Sequence, residues 1–296
     1  MILFEKLLAK EANTYIRFSD ENVEDFCVPS FDKNKDGRLS YDEVASITVS
    51  EFNNATLNSS KKLTLFDEFQ FFTGLSEGVV NTQRFNFNVG GSITIPNIPI
   101  SINNLRCSTI TLRNALNGNI SGSTLILKEK ANANIRTSNF QNYVVDENCE
   151  RFCKVGDFVL SKDKTRLLLS DLTGAPVVLP DTVQRVEDMA LLGSTFTIVK
   201  VPNNVTYIGS HFSGTKMETV DIGENVEEIR HYFCYNNVAL KKVIFRGRVK
   251  IIYSAFDWGN RWGKFDIYVR NEDIEYYKSL FKSPYNTYVK SIDEMK

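Results

Sequence analysis

The clearest pattern of apolar and polar positions lies in the second half of the chain. The segments LPDTVQRV (179–186), VPNNVTYI (201–208) and IGENVEEI (222–229) share one spacing, and FRGRVKII (245–252) keeps it in weaker form. Their valines, Val183, Val205, Val226 and Val249, advance in steps of 22, 21 and 23 residues. A second pattern, apolar-x-x-apolar-x-apolar, runs in phase with the first. It reads Phe196, Val199, Val201, then Met217, Val220, Ile222, then Leu240, Val243, Phe245, and finally Trp262, Phe265, Ile267. Apolar residues two apart with a polar one between describe a short strand with one buried face. Phe212, Phe233 and Phe256 recur at a matching offset as buried aromatics. A coil of this size cannot bury its apolar face alone, whereas stacked coils share a continuous core. The expected fold is a β-rich solenoid of short parallel strands.

The first half is less regular. ITIPNIPI (93–100), TITLRNAL (109–116), STLILKEK (123–130) and NYVVDENC (142–149) predict strands at shorter, uneven steps, as irregular coils of the same solenoid. Between the halves, VGDFVLSKDKTRLLLS (155–170) places two apolar runs around a polar turn, which predicts a hairpin. Before the coils, MILFEKLLAKEANTY has the pattern of an amphipathic helix. It lacks the basic start and small-residue cleavage site of a signal peptide, so either such a signal was trimmed or export does not use one. The expected organisation is a helical cap over 1–58, irregular coils over 59–154, and regular repeats with a closing cap over 155–296.

Composition narrows the class only a little. The 296 residues are 42% hydrophobic and 24% charged with a net charge of −1, so no global field favours nucleic acid. No apolar run is long enough to span a bilayer. Five cysteines, an odd and scattered set, argue against a disulfide framework. Cys149 and Cys153 sit four apart and would share a face if their segment were helical, but no second thiol or histidine pair completes a zinc site.

At this level of detail the repeats resemble those of the BspA-like leucine-rich repeat proteins of bacteria. VPNNVTYIGSHFSG and IGENVEEIRHYFCYN are similar to that family's repeat, DFVLSKDKTRLLL to its recurrent hairpin, and 267–292 to its closing segment. FCVPSFDKNKDGRLSYDEVASIT and FDEFQFFTGL (66–75) resemble the EF-hand-like cap and first repeat of some members. The family's A-F pair is lost at Met189–Ala190, His211–Phe212 and Tyr232–Phe233, and its glycine is replaced at Glu187 and Arg230. The resemblance implies a leucine-rich-repeat solenoid and a cell-surface or secreted protein that binds or adheres.

One stretch carries candidate metal chemistry. DKNKDGRLSYDE (32–43) matches the EF-hand loop at its defining positions. Asp32, Asn34 and Asp36 offer alternating side-chain oxygens, and Gly37 stands at the sharp turn. Arg38 contributes a carbonyl, Ser40 a hydroxyl or a bridging water, and Glu43 a bidentate carboxylate. Calcium, a hard cation wanting six to eight oxygens, suits this set. Leu39 is the expected apolar anchor. Pro29 is expected to end or bend the entering helix, and TVSEF (48–52) looks too β-branched to continue the exiting one. A single loop without a methionine-rich groove predicts a structural clasp at the solenoid's first coil rather than a sensor.

No catalytic constellation accompanies it. His211 and His231 both fall in repeat turns, and Gly90–Gly91 precedes a strand rather than a phosphate-binding helix. The outward strand positions, taken as Ile198, Lys200, Thr219, Asp221, Lys242, Ile244, Lys264 and Asp266, form the candidate binding surface. In that alignment Asp221 and Asp266 stand two coils apart, roughly 10 Å, beyond the reach of a glycosidase carboxylate pair. The functional expectation is therefore a non-enzymatic binding protein with a protein or glycan partner and structural calcium. A virion fibre or decoration component is the alternative, with a glycan-active enzyme less favoured.

Overall fold

The computed structural model describes residues 14–55, 62–81, 88–103, 105–133, 140–171, 176–210, 216–234, 237–252, 256 and 265–295. The predicted helix at the N-terminus, together with His211, Phe212, Trp262 and Lys264, lies outside them. The chain divides into two compact units, 1–151 and 152–296.

The first unit opens with three short helices. Helix α1 (Glu21–Phe31) starts at Asp20, whose carboxylate caps it by accepting from the Asn22 amide. Val23, Phe26, Cys27 and Phe31 recur at helical spacing and are all buried. Contrary to expectation, the helix runs through Pro29 to Phe31, and Asp32 still donates to the Val28 carbonyl. A proline two residues from the end costs only the bond its missing N–H would make. Helices α2 (Tyr41–Ala45) and α3 (Val49–Asn54) each begin with a full capping box, Ser40 with Glu43 and Thr48 with Glu51. That second box explains why TVSEF is helical despite its β-branched residues.

Two parallel sheets follow. Sheet I runs Leu65–Phe66, Asn88–Thr94, Leu105–Leu112, Thr124–Leu127 and Asn142–Val145, with Ile120–Ser121 also paired to the third strand. Sheet II runs Val79–Asn81, Ile100–Asn103, Ala115–Asn117 and Asn132–Ala133. Gly90–Gly91 forms a bulge inside a strand of sheet I, where the register shifts between Val89 and Ser92. The helices close one end through tilted and edge-to-face rings. Phe52 meets Phe69 at 5.6 Å and Phe72 at 5.5 Å, and Phe31 meets Phe72 at 5.6 Å.

The second unit begins with the predicted hairpin. Phe158–Ser161 pairs antiparallel with Arg166–Ser170, and Phe152–Val155 adds a third antiparallel strand. From there the chain becomes a two-sided coil. Sheet III continues with Arg185–Val186, Tyr207–Ile208, Glu228–Ile229 and Ile251–Ile252, all parallel. Sheet IV stacks Val177–Val178, Ile198–Val201, Thr219–Ile222, Lys242–Phe245, Asp266–Val269 and Val289–Ser291. Between the sheets lie the repeat residues, among them Val183, Val205, Val226, Val199, Val220 and Val243, together with Phe233 and Phe256. Helix α4 (Ile274–Leu280) closes the far end. There the buried Tyr277 hydroxyl donates to the Gly247 carbonyl at 2.7 Å and accepts from the Val249 amide at 3.0 Å.

The last coil corrects the sequence alignment. Val243 pairs with Ile267 and Phe245 with Val269, so Ile267 is the first inward residue of its strand rather than the second. Cys149 lies in a turn and Cys153 on a strand, so the helical face imagined for them does not exist. None of the five cysteines takes part in a disulfide.

Candidate functional site

The loop between α1 and α2 folds around its own acidic side chains. Asp32 accepts from the Lys35 amide at 2.7 Å and the Gly37 amide at 2.8 Å. Asn34 Oδ1 accepts from Asp36 N at 2.8 Å, and Asp36 Oδ1 from Arg38 N at 2.9 Å. Glu43 is the hub. One carboxylate oxygen accepts from the Lys33 and Asn34 amides at 3.0 and 3.2 Å, the other from the Ser40 amide and hydroxyl at 2.9 and 2.7 Å. Gly37 adopts a left-handed conformation at φ 80°, as the sharp turn requires. Leu39 is fully buried as the anchor. Beside it, Tyr15 pairs with Ser40 in an antiparallel bridge, donates its hydroxyl to Asp36 at 2.9 Å, and carries the Arg38 guanidinium 3.8 Å above its ring.

These contacts set the electrostatics. The Tyr15 hydroxyl above all, helped by the Arg38 amide and Asn34, holds the Asp36 carboxyl below its usual range against the opposing effect of desolvation. Burial pushes Glu43 upward, but the bonds from Ser40, Asn34 and Lys33 outweigh it, and its carboxyl also lies below the usual range. Asp32, Asn34, Asp36, Arg38, Ser40 and Glu43 are thus drawn into one loop. Among the described residues, no three His, Cys, Asp or Glu side chains are grouped to hold a metal ion. The carboxylates point instead at the loop's own N–H groups. The donor set is nevertheless one of hard oxygens on a helix–loop–helix frame with glycine at the turn, which fits calcium by type and by order.

A residue the sequence reading passed over ties this cap down. Asp20 accepts from Thr64 N at 2.5 Å, Thr64 Oγ at 2.6 Å, Leu65 N at 3.1 Å and Asn22 N at 2.9 Å. It therefore caps α1 and holds the first strand of sheet I at once. Although burial alone would raise it, the hydrogen bonds from Thr64, Leu65 and Asn22 bring its pKa down to about 2. Its sequence signal was an N-cap acid ahead of ENVEDF; its distant partners had none.

On sheet IV the outward positions form two rows. The first is Ile198, Thr219, Lys242 and Asp266; the second is Lys200, Asp221, Ile244, Tyr268 and Lys290. Asp221 and Asp266 therefore do not share a row. They are offset by two strands and two residues, about 12 Å from strand spacing and rise, farther apart than the sequence alignment placed them. Both are already engaged. Arg246 grips Asp221 with two bonds of 2.6 and 2.7 Å, while Lys290 and Tyr268 bind Asp266 at 2.8 and 3.1 Å. Ile244, expected to face solvent, is only 5% exposed. In its row it stands between the in-register Asp221 and Tyr268. Ile198, at the start of the other row, remains 42% exposed.

Comparison with known proteins now bears on these coils. Residues 173–280 match the BspA type leucine rich repeat region, in six copies. No curated protein matches the chain. Among solved structures, a leucine-rich repeat protein from Eubacterium ventriosum superposes with a TM-score of 0.50 at 15% identity, over 75% of this chain and 68% of that one. A leucine rich cell surface protein from Faecalibacterium prausnitzii gives 0.41 at 15% identity, over 68% of each chain. The pneumococcal vaccine antigen PcpA gives 0.34 at 11%, over 74% of this chain and 76% of that one. The first of these extends the leucine-rich-repeat likeness to the fold beyond the matched repeats. The fold is a leucine-rich-repeat β-solenoid with short helices at its start. Among the described residues, no helix is long and apolar enough to cross a membrane.

Proposed function

We propose that this chain is a non-enzymatic binding protein of the bacterial cell surface, which presents the outward rows of sheet IV to a protein or glycan and uses calcium to brace its N-terminal cap. The observation that carries the reading is the stacking of the repeats. In-register strands hold Ile198, Lys200, Thr219, Asp221, Lys242 and Asp266 at fixed spacing on one face. Such rigid, repeated placement is how solenoids build extended binding surfaces. The carboxylates on that face are spent on arginine and lysine partners, which suits recognition better than proton transfer. The BspA-type repeats support the surface role.

Calcium would be held by the side chains of Asp32, Asn34, Asp36 and Glu43, the Arg38 carbonyl and the Ser40 hydroxyl. A bound cation there supplies a strong local charge that cross-links α1 to α2. Reaching it, Glu43 exchanges its four internal hydrogen bonds for the ion. Glu43→Gln separates these roles, because glutamine preserves a capping box and removes the charge. Titration calorimetry should find one site in the parent and none in Glu43→Gln. Chelation should lower the melting temperature of the parent alone. Identical calorimetric traces for both proteins would refute the calcium clasp.

A further inference from the structure

The outward face of sheet III gathers arginine. Register places Arg166, Arg185, Tyr207 and Glu228 side by side on successive strands, each followed by a buried inward residue. Two residues on from the last three stand Glu187, Gly209 and Arg230, and the two with side chains fold them back onto this row. Glu187, its side chain only 7% exposed, accepts through a single oxygen from Arg166 Nε at 2.7 Å and from Arg185 Nε at 2.9 Å. The Arg185 guanidinium also lies 3.5 Å above the Tyr207 ring. Arg230 donates to the Tyr207 hydroxyl at 3.2 Å and pairs with Glu228 at 2.7 Å. Two guanidiniums thus share one carboxylate, which leaves Arg166, Arg185 and Glu187 with a surplus of one positive charge. A guanidinium has several donors in one plane. Arg166 and Arg185 each spend Nε on Glu187, and among the described residues their terminal nitrogens make no further hydrogen bond. Both side chains are about half exposed, so those donors are open to solvent.

We infer that this face docks an acidic segment of a partner protein, seating one Asp or Glu carboxylate on the open ends of Arg166 and Arg185. One incoming carboxylate neutralises the surplus charge, and the planar fork of a guanidinium matches its two oxygens. The positive patch is short. Asp163 acts on Arg166 through its charge at one end, and Glu228 follows Tyr207 at the other. A polyanion laid across the strands would meet those carboxylates, whereas a single acidic side chain sits between them. Arg185 already stacks on Tyr207, so the ring supports the guanidinium rather than standing bare for a sugar. Arginine beside tyrosine is also the chemistry that protein interfaces concentrate where binding is strongest. Sheet III lies across the core from sheet IV, and its docking of an acidic segment does not depend on what sheet IV binds.

The probe is a displayed library of random dodecapeptides, selected on the immobilised full chain. Selected peptides should be enriched in Asp or Glu. Synthetic copies should bind saturably and weaken at least about tenfold when that acid is changed to its amide. Arg166→Gln and Arg185→Gln should each weaken them by a similar factor without moving the melting temperature, because Glu187 keeps the other arginine. If one variant fails to fold, the other decides. A Lys200→Glu, Lys242→Glu double variant of sheet IV should bind the same peptides as tightly as the parent. Selected peptides without acids, affinities within about twofold of the parent in the folded arginine variants, or binding lost only in the sheet IV variant would overturn the inference. So would binding of a heparin hexasaccharide, lost in the arginine variants, with no acidic peptide selected. A ligand lost in the sheet IV variant, found alongside a silent peptide library, would overturn only this docking site and leave the proposed function standing.

Discussion

Asp20 shows how much one side chain can hold. It is 7% exposed, accepts four hydrogen bonds, and links α1 to the first strand of sheet I. Asp20→Ala strands the Thr64 and Leu65 amides and removes the helix cap, which should cost about 2–4 kcal/mol. Asp20→Asn, which keeps acceptors, should cost less. The pH dependence has a definite sign. The carboxyl titrates at about 2 in the folded chain against an ordinary 3.8. Its contribution is therefore complete above the ordinary value and is lost as pH falls from about 4 towards 2, amounting to about 2 kcal/mol. Urea unfolding of parent and Asp20→Ala at pH 7 and pH 2.5 checks this, and the gap between them should narrow at the lower pH. The turn after α1 was more legible, because Gly37 and its flanking acids are consecutive in the chain. Asp20 was not, because its partners lie more than forty positions away.

At the scale of elements, the repeats were legible where inward valines recur and the outward neighbours are polar. The reading slipped in the last coil because Ile244 and Tyr268 are buried as well as their inward neighbours, which erases the alternation on those strands. With Ile267, Tyr268 and Val269 all buried, a pattern two residues early fits equally well. The strands of sheet II left almost no signal, being two to four residues long and rich in asparagine, a residue depleted in strands. The bulge at Gly90–Gly91 shows what pattern alone misses. A Cβ on Gly91 would stand 2.3 Å from the Thr64 carbonyl oxygen, whereas on Gly90 its nearest neighbour is 3.9 Å away. Gly91→Ala should therefore destabilise by about 1–3 kcal/mol through forced backbone displacement, and Gly90→Ala by far less. Thermal melts of the two variants side by side decide it; equal losses would mean the close approach is not what holds this register.

For the whole molecule, two compact units divide the work. In the first, aromatic rings from the helices cover the opening coil, so its apolar edge is not left raw. In the second, α4 seals the far end with Tyr277 fully buried, its hydroxyl bonded to the backbone on both sides of Arg248. Within that unit the coils can leave the outward rows of sheet IV for recognition, since stability comes from the shared interior. The most direct test is a protein and glycan array probed with the full chain, with and without calcium, alongside a Lys200→Glu, Lys242→Glu double variant. The account predicts a ligand retained unchanged and saturably by the parent, lost in the variant, with both proteins equally folded. Conversion of any ligand to product with saturable turnover, abolished by Asp221→Asn, would contradict it.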